Sequence, residues 1–97
     1  MTEREFQGEL IKDLKKMFEG CIVVKNDPNY IQGFPDLTIF YKDKAAVLEC
    51  KASAKSGFRP NQLYYINHIC KMGGFARVIH PENKEEVLNE LQQAFSN

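Results

Sequence analysis

The chain has 97 residues, of which 43% are hydrophobic, which is enough for one small domain with a single core. Thirteen basic residues balance thirteen acidic ones, so the composition disfavours a protein that holds nucleic acid by net positive charge alone. The first residues are polar and no apolar run approaches the length of a membrane span, which predicts an intracellular, cytoplasmic protein without a signal peptide.

The first predicted element is a helix over residues 2–19. Thr2 is suited to the N-cap, Glu5 follows it at the spacing of a capping box, and Gly20 is suited to the stop. Extending the apolar stripe backwards by threes and fours reaches Glu3 and Gln7, which are therefore predicted to point towards the sheet at the rim of a site. The stripe itself consists of Leu10, Ile11, Leu14, Met17 and Phe18.

Three strands are predicted next, over residues 21–25, 36–41 and 45–51. The first two are joined by a loop over residues 26–33 that is rich in turn residues, in which Tyr30 and Gln32 are available to contact a ligand. Pro35 stands at the entry of the second strand, where its missing N–H costs least. The third strand follows the second after a short polar break, which predicts a hairpin.

The second half of the chain predicts a helix, a strand and a helix, over residues 60–72, 75–79 and 82–95. Pro60 is placed at the first helical position. The inner faces of the helices are predicted as Leu63, Ile66, Ile69 and Cys70, and as Val87, Leu88, Leu91, Ala94 and Phe95. The three cysteines lack the spacing of a metal site and are predicted to be buried and reduced.

This order, αβββαβα, combines a hairpin with a βαβ crossover. It predicts a single α/β (α+β) domain over residues 1–97, with a four-stranded mixed sheet packed against helices.

Three ionisable residues, Asp36, Glu49 and Lys51, interrupt the apolar strands, where a charge is costly unless it is paired or binds a metal. Matching apolar residues across the hairpin pairs Tyr41 with Ala46 and leaves Asp43 and Lys44 as the connection. This register places Asp36 opposite Lys51 and diagonal to Glu49 on one face of the sheet. A slip of two residues would keep the face and shift the pairing.

Two carboxylates this close repel each other unless a cation lies between them. Mg²⁺ or Mn²⁺ takes oxygen ligands, which here would be Asp36, Glu49 and the backbone carbonyl of Cys50. Lys51 would then orient or deprotonate the attacking water and offset phosphate charge. The pattern favours a metal-dependent site that cleaves phosphodiester bonds.

The run Gly33-Phe34-Pro35-Asp36, with Glu49-Cys50-Lys51 and then Pro60-Asn61-Gln62, resembles the PD-(D/E)xK nuclease superfamily. More narrowly, nearly the whole chain is similar to the stand-alone VRR-NUC domains of phages and bacteria, which are similar in fold to Holliday-junction resolvases. The resemblance implies a restriction-endonuclease-like domain and a Mg²⁺- or Mn²⁺-dependent DNA endonuclease without a small-molecule cofactor.

Position by position, the resemblance implies Asp36 and Glu49 as metal ligands, Lys51 as the catalytic lysine, Gln62 as the glutamine of the following helix, and Glu3 or Gln7 as the polar residue of the first helix. Ile66 stands where RecB-like nucleases carry a tyrosine, so the chain departs from that pattern.

The expected substrate is branched or duplex DNA, with phosphate contacts from Lys25, Lys55 and Arg59 on loops beside the site. A resolvase-like enzyme needs two active sites and would be a homodimer. Two alternatives to a structure-selective endonuclease stay open: a nuclease with little structure preference, and a non-catalytic nucleic-acid-binding module on a degenerate nuclease fold.

Overall fold

The computed structural model describes residues 1–97 and contains three helices and one four-stranded sheet, in the order that the sequence predicts. The mixed sheet and the single α/β domain are confirmed. Predicted and observed element ends differ by up to two residues, apart from β4, whose bounds agree. The elements are α1 (Glu3–Met17), β1 (Ile22–Lys25), β2 (Leu37–Tyr41), β3 (Lys44–Cys50), α2 (Gln62–Lys71), β4 (Phe75–Ile79) and α3 (Lys84–Ser96).

Helix α1 begins at the predicted capping box. Thr2 Oγ1 accepts a hydrogen bond from the Glu5 N–H at 3.1 Å, and the Glu5 carboxylate accepts one from the Thr2 N–H at 2.9 Å. The buried stripe starts a turn earlier than predicted, because Phe6 is also buried. Its members are Phe6, Leu10, Leu14 and Phe18, with Ile11 and Met17 partly buried beside them.

The sheet has the strand order β1-β2-β3-β4. The first three strands are antiparallel neighbours, and β3 and β4 are parallel, as a crossover through α2 requires. Helices α1 and α3 cover one face of the sheet, where their apolar side chains join Leu37, Ile39, Leu48 and Cys50 in the core. Because side chains alternate between faces, Val47 and Glu49 point to the other face, where α2 packs against β4.

The predicted register of the hairpin is wrong by two residues. Tyr41 pairs with Lys44, and Leu37 pairs with Leu48, so the turn consists of Lys42 and Asp43. Apolar matching does not separate the two registers, since a two-residue step leaves every side chain on its own face. The turn decides between them: Lys42 adopts φ 56°, the positive value that tight hairpin turns require. Continuing this register aligns Asp36 with Glu49 rather than with Lys51.

The predicted inner face of α2 is also partly wrong. Leu63 is 47% exposed and Cys70 is exposed, whereas Gln62 and Ile66 are buried. The helix begins at Gln62, not at Pro60, because Asn61 adopts a left-handed conformation with φ 72°. This later start accompanies a different inner face of α2, on which the polar residue Gln62 is buried and Leu63 is exposed.

The half of the sheet that α2 does not cover carries apolar side chains in contact with solvent. Ile22, Val24 and Phe40 lie on this face and are 61%, 39% and 48% exposed. All three cysteines are free; Cys50 is buried, Cys21 is half-buried and Cys70 is exposed, so the prediction that all are buried is wrong for Cys70. None of the helices combines the length and apolarity needed to cross a membrane.

Candidate active site

Two buried ionisable side chains lie side by side at the carboxyl end of β3. Glu49 is 1% exposed and Lys51, which directly follows the strand, is 5% exposed. Lys51 continues the ladder with β4 through a backbone hydrogen bond from its N–H to the Ile79 carbonyl. Its Nζ lies 3.8 Å from Glu49 Oε2 and 4.9 Å from the centre of the Phe58 ring. The aromatic face therefore stabilises the ammonium group on a side that water would otherwise occupy.

Gln62, at the first position of α2, connects the two charges. Its Nε2 donates to Glu49 Oε2 at 2.8 Å, and its Oε1 accepts from Lys51 Nζ at 2.7 Å and from the Arg59 N–H at 2.8 Å. The carboxamide fits between an acceptor and a donor because it carries one group of each kind. The orientation of Gln62 thus fixes the side chains of Glu49 and Lys51 relative to each other.

Asp36 lies immediately before β2, at the same edge of the sheet. Its Oδ2 accepts a hydrogen bond from the Cys50 N–H at 2.9 Å, so its carboxylate lies against β3 next to Glu49. Asn26 fixes the backbone at Asp36 and at the residue before it. The backbone N–H of Asn26 donates to the Asp36 carbonyl at 2.8 Å, and its side-chain Nδ2 donates to the Pro35 carbonyl at 2.9 Å. A second bond from Asn26 Nδ2 reaches Thr38 Oγ1 at 2.9 Å. No sequence pattern distinguishes Asn26, which follows β1 like any polar loop residue.

The electrostatics at Glu49 are those of an acidic pair in a dry environment. Burial, followed by the negative charge of Asp36, raises the pKa of Glu49 to about 8, while the positive charge of Lys51 acts in the opposite direction. The Glu49 Oε1 atom is buried and has no hydrogen-bond partner. A buried carboxylate oxygen without a partner, beside a second carboxylate, is an environment that a cation would stabilise.

The two polar residues of α1 lie at the edge of this site. Glu3 and Gln7 are half-buried, on the helix that packs against the face holding the Cys50 side chain. Burial raises the pKa of the Cys50 thiol, the negative charges of Asp36 and Glu49 add to the effect, and the Gln7 side chain partly offsets it. The negative charge of Glu3 raises the pKa of both Glu49 and Cys50. Glu3 and Gln7 are therefore both near the end of β3 that carries the site.

A polar cavity of about 520 Å³ opens beside Asp36 and Gln62. Its other walls come from the β1–β2 loop and from the segment before α2, which meet where Gly33 lies against Pro60 and Asn61. Gly33 has φ +85°, and a Cβ there would lie 2.6 Å from the Pro60 carbonyl oxygen. This glycine, part of the predicted motif, is what allows the two loops to meet. Tyr30 is 84% exposed and lies outside the cavity, whereas Gln32 lines it.

The three cations predicted to bind phosphate are all exposed but differ in position. Arg59 lines the cavity, and its guanidinium has no acidic partner within the chain. Lys25 ends β1 and pairs with Leu37, next to Asp36 in the chain. Lys55 lies in a turn stabilised by Ser53, outside the cavity lining. The structure therefore places Arg59 in the wall of the cavity that Asp36 also lines.

The chain has no group of three or more His, Cys, Asp or Glu side chains arranged to hold a metal ion. The acidic part of the site is a pair, Asp36 and Glu49. No protein-family model and no curated protein sequence matches the chain.

Proposed function

We propose that this protein is a Mg²⁺- or Mn²⁺-dependent endonuclease that hydrolyses phosphodiester bonds in DNA. One observation carries the proposal: Glu49 and Lys51 are buried side by side, linked by Gln62, with the Asp36 carboxylate against the same strand. Burying two ionisable groups together, beside a third that is half-buried, is costly for a domain of this size. Such an arrangement is typical of a catalytic site, where perturbed carboxylates and a cation act on one bond.

The residues present fit a hard divalent cation. Asp36 and Glu49 supply two carboxylates, and Glu49 Oε1 has no other partner. The N–H and C=O of a strand residue point to the same side, so the Cys50 carbonyl faces the side on which the Cys50 N–H meets Asp36. Mg²⁺ commonly uses one or two carboxylates and completes its shell with water and substrate phosphate, so a pair of acids is sufficient. The ion would supply Lewis-acid activation and neutralise phosphate charge.

The chain's own groups account for the other requirements of hydrolysis. Lys51 Nζ donates a hydrogen bond to Gln62 Oε1 and would donate another to the attacking water or to a phosphate oxygen. Gln62 keeps Lys51 and Glu49 in fixed positions, which reduces the reorganisation needed at the transition state. Arg59 supplies an unpaired positive charge for the DNA backbone next to the site.

The sequence motifs extend the proposal to a family and a substrate. We propose membership of the VRR-NUC group of PD-(D/E)xK nucleases, acting inside the cell on branched DNA in the manner of a Holliday-junction resolvase. Symmetric cleavage of a four-way junction requires two active sites, and the enzyme would then be a homodimer. Sedimentation at micromolar concentration, with and without junction DNA, tests this: a monomer in both conditions would argue against a resolvase.

The decisive experiment incubates the purified protein with four-way junction, flap and linear duplex DNA, each in Mg²⁺, Mn²⁺ or EDTA. We expect metal-dependent cleavage, with a preference for branched DNA. Glu49→Gln and Lys51→Met retain the size of the buried side chains, and each is expected to lower the cleavage rate by about a hundredfold or more.

Lys12→Met, on the exposed side of α1, is the matched control for Lys51→Met and is expected to cleave like the unmodified protein. Circular dichroism of every variant separates loss of catalysis from loss of folding. Cleavage in neither metal would refute the enzyme proposal. Unchanged cleavage by folded Lys51→Met would refute the assignment of the site.

A further inference from the structure

We infer that the cavity beside Asp36 binds one unpaired nucleotide of the DNA substrate, adjacent to the phosphate that is cleaved. The inference rests on the proposed nuclease function and specifies how such a site would select its substrate. The β1–β2 loop and Arg59 line this cavity together with Asp36 and Gln62.

The size and position of the cavity suit a single nucleotide. Its volume of about 520 Å³ lies in the range of small-molecule binding sites, and a nucleotide has the size of such a molecule. Asp36 and Gln62 belong to its lining, so a group bound there is in direct contact with the candidate catalytic residues. A base reaches such a cavity only when it is out of the double-helical stack.

The chemistry of the walls matches the parts of a nucleotide. The side chains of Asn29 and Gln32 make no hydrogen bonds within the chain and are exposed towards solvent, so their donors and acceptors are free for the edge of a base. Arg59 is a free cation suited to a phosphate. Such a set of amides and one cation is typical of recognition of an unpaired base.

Phe34 supplies the stacking surface. It is the aromatic residue of the lining, and its ring is braced edge-on by Tyr65 at 5.4 Å between centroids, which in turn contacts Tyr64 at 5.2 Å. A ring held in place by its neighbours loses little freedom when a base stacks on it. The contact of Gly33 with Pro60 and Asn61 fixes the two loops, so the cavity is formed before the DNA arrives.

The test compares binding of two DNA duplexes, one fully paired and one with a single additional unpaired nucleotide. The base of that unpaired nucleotide is the fluorescent analogue 2-aminopurine. Binding is followed by anisotropy in Ca²⁺ at one fixed salt concentration, since affinity for DNA depends strongly on salt. We expect the DNA with the unpaired base to bind about tenfold more tightly, with a change in 2-aminopurine fluorescence on stacking.

The double variant Asn29→Ala with Gln32→Ala alters two exposed side chains and should remove this preference, so that both DNAs bind with equal affinity. Phe34→Leu should remove the fluorescence change. The matched control is Asn67→Ala, an exposed amide on the solvent side of α2, which should behave like the unmodified protein.

Equal affinity for the two DNAs, or a preference that survives the double variant, would overturn the inference. That failure is distinct from failure of the nuclease proposal, which is judged by cleavage in Mg²⁺ or Mn²⁺ and by Lys51→Met. If the protein prefers the unpaired base but cuts no DNA, the binding site is supported and the nuclease proposal is refuted.

Discussion

Gln62 Nε2 donates a hydrogen bond to Glu49 Oε2 at 2.8 Å, joining the first residue of α2 to a carboxylate that is almost completely buried. The other end of the same carboxamide accepts from Lys51. The start of a helix is thereby connected to the end of a strand through the side chains proposed to carry out hydrolysis.

Replacing Gln62 with alanine should weaken both folding and cleavage. Glu49 Oε2 and Lys51 Nζ would each lose a buried hydrogen-bond partner, which costs about 1–3 kcal/mol of unfolding free energy. Urea denaturation measures the stability, and a DNA cleavage assay measures the rate, which we expect to fall at least tenfold. Asn67→Ala, on the exposed face of the same helix, is the control. Equal effects of the two substitutions would show that the bridge is dispensable.

The stability of the metal-free protein should depend on pH through Glu49. Its pKa in the folded protein is about 8, against an ordinary value of 4.5, so the folded state retains a proton that the unfolded state releases in between. The contribution of this group to stability is complete below pH 4.5 and is lost as the pH rises through 8. Glu49→Gln carries no charge, so its melting temperature relative to the unmodified protein should rise from pH 5 to pH 8, by roughly 5 °C or more.

The measurement is thermal unfolding of both proteins in EDTA across this pH range, repeated with Mg²⁺. A bound cation favours the ionised carboxylate, so Mg²⁺ should stabilise the unmodified protein at pH 8 and leave Glu49→Gln nearly unchanged. A constant difference between the two proteins at all pH values would contradict the raised pKa.

Gly33→Ala should destabilise the protein, whereas Gly57→Ala should not. Gly33 has a positive φ, and an added Cβ would overlap the Pro60 carbonyl oxygen and Asn61. The expected loss is about 1–3 kcal/mol from backbone strain and steric overlap. Gly57 has no neighbour within 4 Å of an added Cβ and no positive φ, so it provides the matched control in urea denaturation. Similar stabilities of the two variants would mean that the loops separate without cost.

Asn26→Ala should weaken metal binding with little effect on the fold. Asn26 positions Asp36 through bonds to the Pro35 carbonyl and to Thr38, without contacting the carboxylates itself. Loss of such outer contacts typically lowers metal affinity about 10- to 100-fold. The metal concentration that gives half-maximal cleavage should therefore rise, while the rate at saturating metal recovers. A reduced rate that no metal concentration restores would indicate a different role for Asn26.

Several features of the fold were predictable because they depend on local sequence. The capping box at Thr2 and Glu5 involves atoms three residues apart, and the apolar stripes follow helical spacing. The alternation of side chains along β2 and β3 predicted which residues face the core. Two features departed from these patterns: the buried stripe of α1 extends to Phe6, and the inner face of α2 differs from the predicted one.

Other features depended on contacts between distant segments. Apolar matching is satisfied equally by two registers of the hairpin, and the turn at Lys42 and Asp43 selected one of them. The left-handed Asn61, pressed against Gly33, set the start of α2 and turned Gln62 inward in place of Leu63. Neither effect is visible in the periodicity of a single element.

The order of the elements, the mixed sheet, and the presence of Asp36, Glu49 and Lys51 at the ends of two adjacent strands were predictable, because chain order and side-chain alternation are local properties. How these groups meet depends on contacts between segments that are distant in the chain. Asp36 contacts the Cys50 backbone rather than Lys51, and Gln62 bridges Glu49 and Lys51, since the turn and the packing of two loops set these distances.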